Sequence, residues 1–262
     1  MEITSLLGVI VGIISVVGAM FFKHISFSVF LNPAAFFVIF VGTVATILNS
    51  YPLENVKNVG VLFKIIFTKQ KGLTAKEIIE LLVDLSKLAR KEGLLALEAK
   101  VQEFEDPFLK KGIRMVVDGT QEEMMREILE NEIDAMEKRH DINAGIFTSA
   151  GTYAPTLGVL GAVFGLIAAM ASIDDTERMA EAIAAAFMAT ILGIFTGYVL
   201  WNPFAKKLKV KSQNEVLLKN MIVEGLLSIQ KGESPNLLKE KLFALLPAST
   251  QKKLADQQPT NS

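Results

Sequence analysis

Four long apolar stretches without a charged side chain dominate this sequence. They run from Ile3 to Phe22, from Pro33 to Tyr51, from Ile142 to Ile173 and from Ala182 to Phe204. A helix needs about 20 largely apolar residues to cross the hydrocarbon core of a membrane. Because 21% of the residues are charged although 51% are hydrophobic, the charges must be concentrated between these stretches. The sequence therefore predicts an all-α, polytopic membrane protein with four transmembrane helices.

The long insertion between the second and third stretches has the signals of helical, soluble structure. Thr74 and Glu77 form a capping box, and Asp106 precedes a proline at a first helical position. The predicted organisation has four parts: transmembrane helices 1 and 2 in residues 1–51, a cytoplasmic helical domain in 52–141, transmembrane helices 3 and 4 in 142–204, and cytoplasmic C-terminal helices with a disordered tail in 205–262. The tail is assigned to the polar residues from Ser249 onward.

Lysine and arginine predict the orientation of the chain in the membrane. Basic residues follow the second and fourth stretches and precede the third, whereas the two short connections near residues 23–32 and 173–180 hold few. Basic residues favour the cytoplasmic side. We therefore expect both termini and the long insertion to be cytoplasmic in a multi-pass protein of the bacterial cell membrane. The first stretch lacks a basic start and is interpreted as a retained helix rather than a signal peptide.

Composition excludes several classes of site. The chain has no cysteine, and its two histidines, His24 and His140, are far apart in the sequence. Thiol catalysis and zinc–thiolate sites are therefore excluded, and no metal, cofactor or catalytic dyad is predicted. A net charge of −1 gives no basic field for nucleic acid. We expect a protein that is not an enzyme.

The third and fourth stretches contain no ionisable residue in their centres. A charge within the bilayer is costly and usually marks an ion path. This chain is therefore either a membrane scaffold or one wall of a path whose charged group comes from another chain. Uncharged polar residues favour the second interpretation: Thr148, Ser149, Thr152, Tyr153, Thr156, Thr190 and Thr196. The alternative is that each hydroxyl bonds to a carbonyl of its own helix.

Prolines and glycines interrupt the same two stretches. Pro155 lies within the third and Pro203 near the end of the fourth, where each is either a static kink or helix end, or a hinge that couples the membrane to the insertion. Glycines four residues apart allow close helix approach. Such pairs are Gly8 and Gly12, Gly161 and Gly165, and Gly193 and Gly197.

Three separated segments resemble a known family. The stretches 150–165 (AGTYAPTLGVLGAVFG), 189–203 (ATILGIFTGYVLWNP) and 90–98 (RKEGLLALE) are similar to MotA-type flagellar stator subunits of the MotA/TolQ/ExbB proton channel family. The resemblance covers nearly the whole chain, including the layout of two plus two spans around a long loop. It is closest to the members from Gram-positive bacilli.

The resemblance implies partners and residue roles. Subunits of this type form a homo-oligomer, a pentamer, around two copies of MotB, whose single transmembrane helix supplies an essential Asp. The residues matching Arg90 and Glu98 contact the rotor protein FliG. The predicted ion path and coupling residues are Pro155, Thr156, Ala162, Thr190 and Pro203. On composition alone, Arg90 and Glu98 would be ordinary solvated charges.

The implied function is a stator subunit that couples ion flow, expected to be proton flow, to torque on the rotor and so to motility. Three alternatives stay open: a sodium-coupled stator, an energising subunit of the ExbB/TolQ kind for outer-membrane processes, and a passive membrane scaffold. The ExbB/TolQ kind resembles a three-span layout, which the four apolar stretches do not match.

Overall fold

A computed structural model describes residues 2–25, 32–69 and 72–256 of the chain. Within these residues the secondary structure is helical, with no strand. The helices are α1 Ile3–Phe22, α2 Pro33–Phe36, α3 Gly42–Ser50, α4 Leu53–Val56, α5 Val59–Phe67, α6 Ala75–Glu92, α7 Ala96–Val101, α8 Pro107–Val117, α9 Glu122–Ala171, α10 Thr176–Phe195, α11 Asn202–Gln230, α12 Pro235–Ala244 and α13 Ala248–Asp256. Two π-helical segments, π1 Phe37–Val41 and π2 Thr196–Trp201, join α2 to α3 and α10 to α11.

Four helices of the described chain are long and apolar enough to cross a membrane. They are Ile3–Phe22, Pro33–Ser50, Glu122–Ala171 and Thr176–Gln230, so the prediction of an all-α chain with four transmembrane helices is confirmed. The last two are 50 and 55 residues long, more than twice the length that a bilayer requires. In α9, a charged helix therefore continues directly into the third apolar stretch. The fourth stretch also continues, through π2 into α11.

The described residues divide into two compact units. The first comprises residues 1–70 and 139–210, and the second 71–138 and 211–262. This division differs from the sequence-based boundaries, because α5 and residues 205–210 belong to the unit that contains the apolar helices. The predicted disordered tail is wrong for residues 249–256, which lie in α13. Residues 257–262 of the tail and residues 26–31 of the first short loop lie outside the described residues.

An aromatic cluster forms the main core of the first unit. Phe63 of α5 packs edge-on against Phe147 of α9, with ring centroids 5.2 Å apart, and against Phe204 of α11 at 6.0 Å. Trp201 lies 6.3 Å from Phe204 in the same arrangement. Edge-to-face packing of this kind adds to the free energy of burial. The cluster holds α5 against the ends of the third and fourth apolar stretches.

The second unit is built as a small helical domain with capped helices. The Thr74 side chain accepts a hydrogen bond from the Glu77 amide, and the Glu77 carboxylate accepts one from the Thr74 amide at 2.7 Å, as the capping box predicts. The backbone hydrogen bond from Thr74 lowers the pKa of Glu77. Asp106 caps α8 by accepting from the Phe108 amide at 2.9 Å. These caps satisfy amide groups that the first helical turn leaves without a partner.

Ion pairs connect the beginning of α9 with the end of α11 inside this unit. Arg126 and Glu224 lie 2.6 Å apart, and Lys231 and Glu122 also lie 2.6 Å apart. The hydrogen bond with Glu224 raises the pKa of Arg126. In the same unit, Leu82 of α6 is fully buried and contacts Gly225 of α11. A methyl group at Gly225 would lie 2.5 Å from Cδ1 of Leu82. Helices α6, α9 and α11 therefore share one apolar core.

We expect Leu82→Ala to lower the free energy of unfolding by about 2–5 kcal/mol, because it leaves a cavity in a closely packed core. Chemical unfolding of the detergent-solubilised full chain, followed by circular dichroism, measures this change. Leu95→Ala is the matched control, since Leu95 is 73% exposed and the same deletion should change stability by less than about 0.5 kcal/mol. Equal effects of the two substitutions would contradict the assignment of Leu82 to the core.

Candidate functional site

The second half of α9 and α10 pack together through small residues at very short distances. A methyl group at Gly193 would lie 2.7 Å from the carbonyl oxygen of Ala154 and 2.8 Å from Cα of Gly158. Conversely, a methyl group at Gly158 would lie 2.9 Å from the carbonyl oxygen of Ala189. These contacts are with backbone atoms, which cannot move aside as a flexible side chain can. The two helices are therefore as close as their backbones allow.

The small residues repeat along both helices at intervals of three or four. On α9 they are Gly151, Ala154, Gly158, Gly161 and Gly165, and on α10 and π2 they are Ala182, Ala186, Ala189, Gly193 and Gly197. Gly165 contacts Ala186, and Gly158 contacts Gly193, so residue numbers rise on one helix as they fall on the other. This is the antiparallel, heptad-spaced packing of small residues that brings membrane helices together. We call these ten residues the small-residue seam.

Four of the six glycines that the sequence assigns to close helix approach, Gly161, Gly165, Gly193 and Gly197, lie in the seam. Gly161 is the loosest, since a methyl group there would lie 3.2 Å from Cβ of Ala189. Sequence reasoning missed Gly151 and Gly158 because it searched for intervals of four. The interval of seven from Gly151 through Gly158 to Gly165 would have found them. Gly8 lies outside this packing, with nothing within 4 Å of a methyl group at that position.

Pro155 lies beside the seam, where the ring contacts the backbone of Gly197. A methyl group at Gly197 would lie 2.7 Å from Cγ of Pro155 and 2.8 Å from the carbonyl oxygen of Gly151. Proline has no N–H, so it cannot donate to the Gly151 carbonyl four residues before it. The disruption of the α9 hydrogen-bond ladder therefore lies at the point where π2 comes closest to α9.

Pro203 lies in the first turn of α11, directly after π2, and its side chain is exposed. A proline clashes with the carbonyl four residues earlier, which here belongs to Val199 within π2. The wider turn of a π-helix changes the path of that carbonyl and lets a helix continue past a local interruption. The interpretation of Pro203 as a helix end is therefore wrong, because the helix runs on to Gln230.

Most threonines of the two apolar stretches donate to carbonyl groups of their own helix. Thr190 Oγ1 donates to the Ala186 carbonyl at 3.4 Å, and Thr152 Oγ1 donates to the Thr148 carbonyl at 3.0 Å. Thr196 Oγ1 donates to the Leu192 carbonyl at 2.9 Å. This is the alternative that the sequence left open. While such a bond holds, the hydroxyl oxygen can accept a further hydrogen bond through its lone pairs but does not donate a second one.

The predicted path residues differ in exposure. Thr156 is exposed on α9, whereas Ala162 and Thr190 are half-buried. Between residues 143 and 171 and between 182 and 205, the chain carries no carboxylate, amine, guanidinium or imidazole. Among the described residues, no group of three or more acidic, histidine or cysteine side chains could hold a metal ion. The site therefore offers hydroxyl oxygens and apolar surface, without a charge of its own.

Arg90 and Glu98 belong to the second unit, whereas the predicted ion-path residues belong to the first. Arg90 lies in the last turn of α6 and Glu98 in the first turn of α7, on either side of Gly93, whose φ of 88° ends α6. Both side chains are exposed, and Leu95 between them is 73% exposed. Neither charge forms an ion pair with another residue in the described ranges. The segment from Arg90 to Glu98 therefore exposes both signs of charge and an apolar side chain.

Comparison with known proteins gives one consistent family. A sequence profile of the MotA/TolQ/ExbB proton channel family matches residues 100–221. The chain is 49% identical to Motility protein A of Bacillus subtilis (strain 168) over 257 residues, which cover 98% of this chain and 95% of that protein. The flagellar MotAB stator complex from Bacillus subtilis contains a chain with a TM-score of 0.90 and 49% identity, covering 96% of this chain and 99% of that one. C. jejuni MotAB matches with a TM-score of 0.90 at 30% identity, covering 100% of this chain and 99% of that one.

We expect Gly193→Ala to lower the free energy of unfolding by about 1–3 kcal/mol, because its methyl group would overlap backbone atoms of α9. Unfolding in sodium dodecyl sulfate, followed by fluorescence of Trp201, the one tryptophan in the sequence, measures this change. Gly8→Ala is the matched control, since it adds the same methyl group to an apolar helix with nothing within 4 Å. Unchanged stability of the Gly193 variant would show that the helices are not in backbone contact.

Proposed function

Because the chain belongs to the MotA/TolQ/ExbB proton channel family, we propose that it works as the torque-generating subunit of a flagellar stator. It couples ion flow across the bacterial cell membrane to rotation of the flagellum and so to motility. The observation that carries this function is the 49% identity to a motility protein over 95% of that protein's length. As a channel component, the chain has no enzymatic activity in this proposal.

The charge that moves with the ion is supplied by a partner. The apolar stretches 143–171 and 182–205 hold no ionisable group except the tyrosines Tyr153 and Tyr198. An ion cannot cross a low-dielectric region without a compensating group. A MotB subunit provides a transmembrane helix with a carboxyl group, and a homo-oligomer of this chain, a pentamer, surrounds it. The structural relatives include chains of solved MotAB complexes, which supports this assembly.

The hydroxyls favour the neutral form of such a carboxyl group. The Thr190 hydroxyl donates to the Ala186 carbonyl at 3.4 Å, and while this hydrogen bond holds, its oxygen accepts a further hydrogen bond but does not donate a second one. A protonated acid has an O–H to donate, whereas a carboxylate only accepts. Thr190 is therefore a partner for the protonated acid and a poor one for the carboxylate. This difference makes the position of the partner helix depend on protonation, and the predicted path residues Thr156 and Ala162 belong to the same proposed path.

The two prolines couple that change to movement of the helices. Pro155 of α9 lies against Gly197 of π2, and Pro203 follows π2 at the beginning of α11. Both proline interruptions therefore lie beside the π-helical segment Thr196–Trp201. A π-helical turn is a place where a helix can shift without losing its hydrogen-bond ladder, and such turns occur frequently at functional sites. The small-residue seam keeps α9 and α10 together during the shift. The two helices then move as one element.

The exposed surface of Arg90, Leu95 and Glu98 contacts the rotor protein FliG. An exposed mixed-charge surface suits a contact that must form and release at every step, because exposed charge pairs are weak and act mainly on orientation and rate. The apolar Leu95 between the charges adds contact area that excludes water. Neither charge is used by an ion pair within the described chain, so both are available to a partner.

Two related functions have less support. An energising subunit of the ExbB/TolQ kind shares the family profile, but the relatives that match over nearly the whole chain are motility proteins. A sodium-coupled stator would use the same scaffold, since hydroxyl oxygens can also coordinate sodium. Proton coupling is favoured by the Thr190 oxygen, which can accept a hydrogen bond from a protonated acid, and by membership of a proton channel family. Cytoplasmic placement of both termini rests on the distribution of lysine and arginine.

In cells whose own stator genes are deleted, we expect this chain and its co-expressed partner to restore swimming that a protonophore abolishes. Swimming speed should stay unchanged when sodium is replaced by potassium at constant ionic strength, because the carboxyl group cycles through a protonated form. Video tracking of single cells measures both responses.

The deletion strain without the chain should assemble flagella that do not turn, which separates a motor defect from an assembly defect. Speed that follows the sodium concentration would overturn proton coupling but leave the stator function standing. A complemented strain whose flagella never rotate, despite normal membrane levels of both subunits, would contradict the stator function itself.

We expect Arg90→Glu and Glu98→Lys each to reduce stall torque severalfold, since each reverses a charge on the rotor-facing surface. Torque is measured from the rotation of a bead attached to a flagellar stub. Lys76→Glu is the matched control, because Lys76 is also exposed, on α6, and is paired only with Glu80 at 3.9 Å. Normal torque in both Arg90 and Glu98 variants would exclude this surface as the rotor contact.

A further inference from the structure

Helix α5 turns one apolar face inward and another outward. Leu62 and Ile66 are buried against α9 and α11, whereas Val61 is 58% exposed and Ile65 is 40% exposed. Lys64 is also exposed on the outward side. A short helix with apolar residues on both sides and lysine between them is poorly suited to water. Such a face is suited to the boundary between acyl chains and headgroups of a membrane.

The contacts of α5 fix it at one edge of the apolar helices. Its last residue, Phe67, accepts a hydrogen bond from the Glu2 amide at 2.9 Å, and the Ile66 carbonyl accepts one from the Ser5 hydroxyl at 3.2 Å. Both donors lie at the beginning of the first apolar stretch. Along the chain, only the short helix α4, which begins at Leu53, and its flanking residues separate α5 from the end of the second apolar stretch. The position of α5 is therefore that of a membrane edge.

The aromatic cluster marks the same depth at the other two stretches. Phe63 contacts Phe147 near the beginning of the third apolar stretch, and both Trp201 and Phe204 near the end of the fourth. Tryptophan and other aromatic side chains concentrate at the headgroup level of membranes. All four apolar helices thus reach the interface at the level of α5, and the outward face of α5 lies there as well.

Positive charge surrounds this level with little acid to neutralise it. Residues 52–69 and 202–210 together hold six lysines and one carboxylate, Glu54. Lys207 is paired with Glu2 at 2.8 Å. Lys57, Lys64 and Lys69 are exposed, and within the described ranges they form no ion pair. They are therefore available to an external anion.

We propose that the outward face of α5, with Lys57, Lys64 and Lys69, binds the headgroups of anionic phospholipids. The ligand is the phosphate-bearing headgroup of a lipid whose acyl chains cover Val61 and Ile65. The lysines match the negative charge of the lipid headgroup, and the exposed apolar residues match its acyl chains. An acidic soluble protein would match only the lysines. Since α5 is tied to the beginning of α1 and to α9 and α11, bound lipid also stabilises the packing of the four apolar helices in the first unit.

Titration of the purified full chain, in complex with its co-expressed partner subunit in neutral detergent, tests this site. Native mass spectrometry counts bound phosphatidylglycerol and, separately, bound phosphatidylcholine of the same acyl chains. The test variant is K57Q/K64Q/K69Q, and the matched control is K76Q/K87Q/K91Q, which removes the same charge from exposed lysines of α6. A lysine near an anionic surface is worth about 1 kcal/mol, or about fivefold in affinity.

We expect phosphatidylglycerol to bind at least tenfold more weakly to the test variant and within twofold of wild type to the control. Equal binding to the test variant, or equal binding of the two lipids to wild type, would overturn the proposal. If the test variant no longer bound poly-glutamate peptide but bound phosphatidylglycerol like wild type, the lysines would be assigned to binding an acidic protein instead. If the triple variant does not assemble with its partner, Lys64→Gln alone should weaken phosphatidylglycerol binding about fivefold. Because this readout needs no ion flow or rotation, it is independent of the motor function.

Discussion

Backbone contact between α9 and α10 is the interaction on which the rest of the first unit depends. Lipid is as apolar as a leucine side chain, so the hydrophobic effect gives these helices little reason to associate. Close packing of small residues supplies the attraction instead, through many dispersion contacts over the length of the seam. The approach of Gly158 to Gly193 leaves no room for a side chain on either helix. Polar, charged or bulky residues are thereby confined to the other faces, which are left for lipid and for partner subunits.

The same seam explains why the helix interruptions occur where they do. Pro155 removes one hydrogen bond of α9 next to Gly197, and π2 interrupts α10 at the same level. Both interruptions lie where the two helices touch, so a movement of one must be matched by the other. In the proposed stator, that arrangement carries a change at the partner's carboxyl group into the long helices α9 and α11. The protein needs no charge of its own for this step, because it only has to distinguish a protonated acid from a carboxylate.

Sequence patterns located much of the candidate site, but they did not locate all of it. The glycines at intervals of four led to Gly161, Gly165, Gly193 and Gly197, whereas Gly158 was missed although it lies at the centre of the seam. The hydroxyls showed a different limit. A threonine in a membrane helix can donate to its own helix or to a partner, and the sequence is the same in both cases. Only the structure shows that the Thr190 hydroxyl donates to the Ala186 carbonyl, which leaves lone pairs of the Thr190 oxygen to accept a hydrogen bond.

The sequence by itself determined the number of transmembrane helices, the helical character of the insertion and the absence of acidic and basic side chains from the centres of the third and fourth apolar stretches. Each follows from composition along the chain, because the cost of placing a charge in lipid does not depend on how the helices are arranged. The tertiary structure alone decided that Pro203 lies inside a continuous helix, that residues 249–256 are helical, and that α5 joins the apolar helices. The position of α5 depends on contacts between distant residues, such as Phe63 with Phe204, which no local pattern encodes. A proline usually ends or kinks a helix, but the π-helical turn directly before Pro203 allows the helix to continue to Gln230.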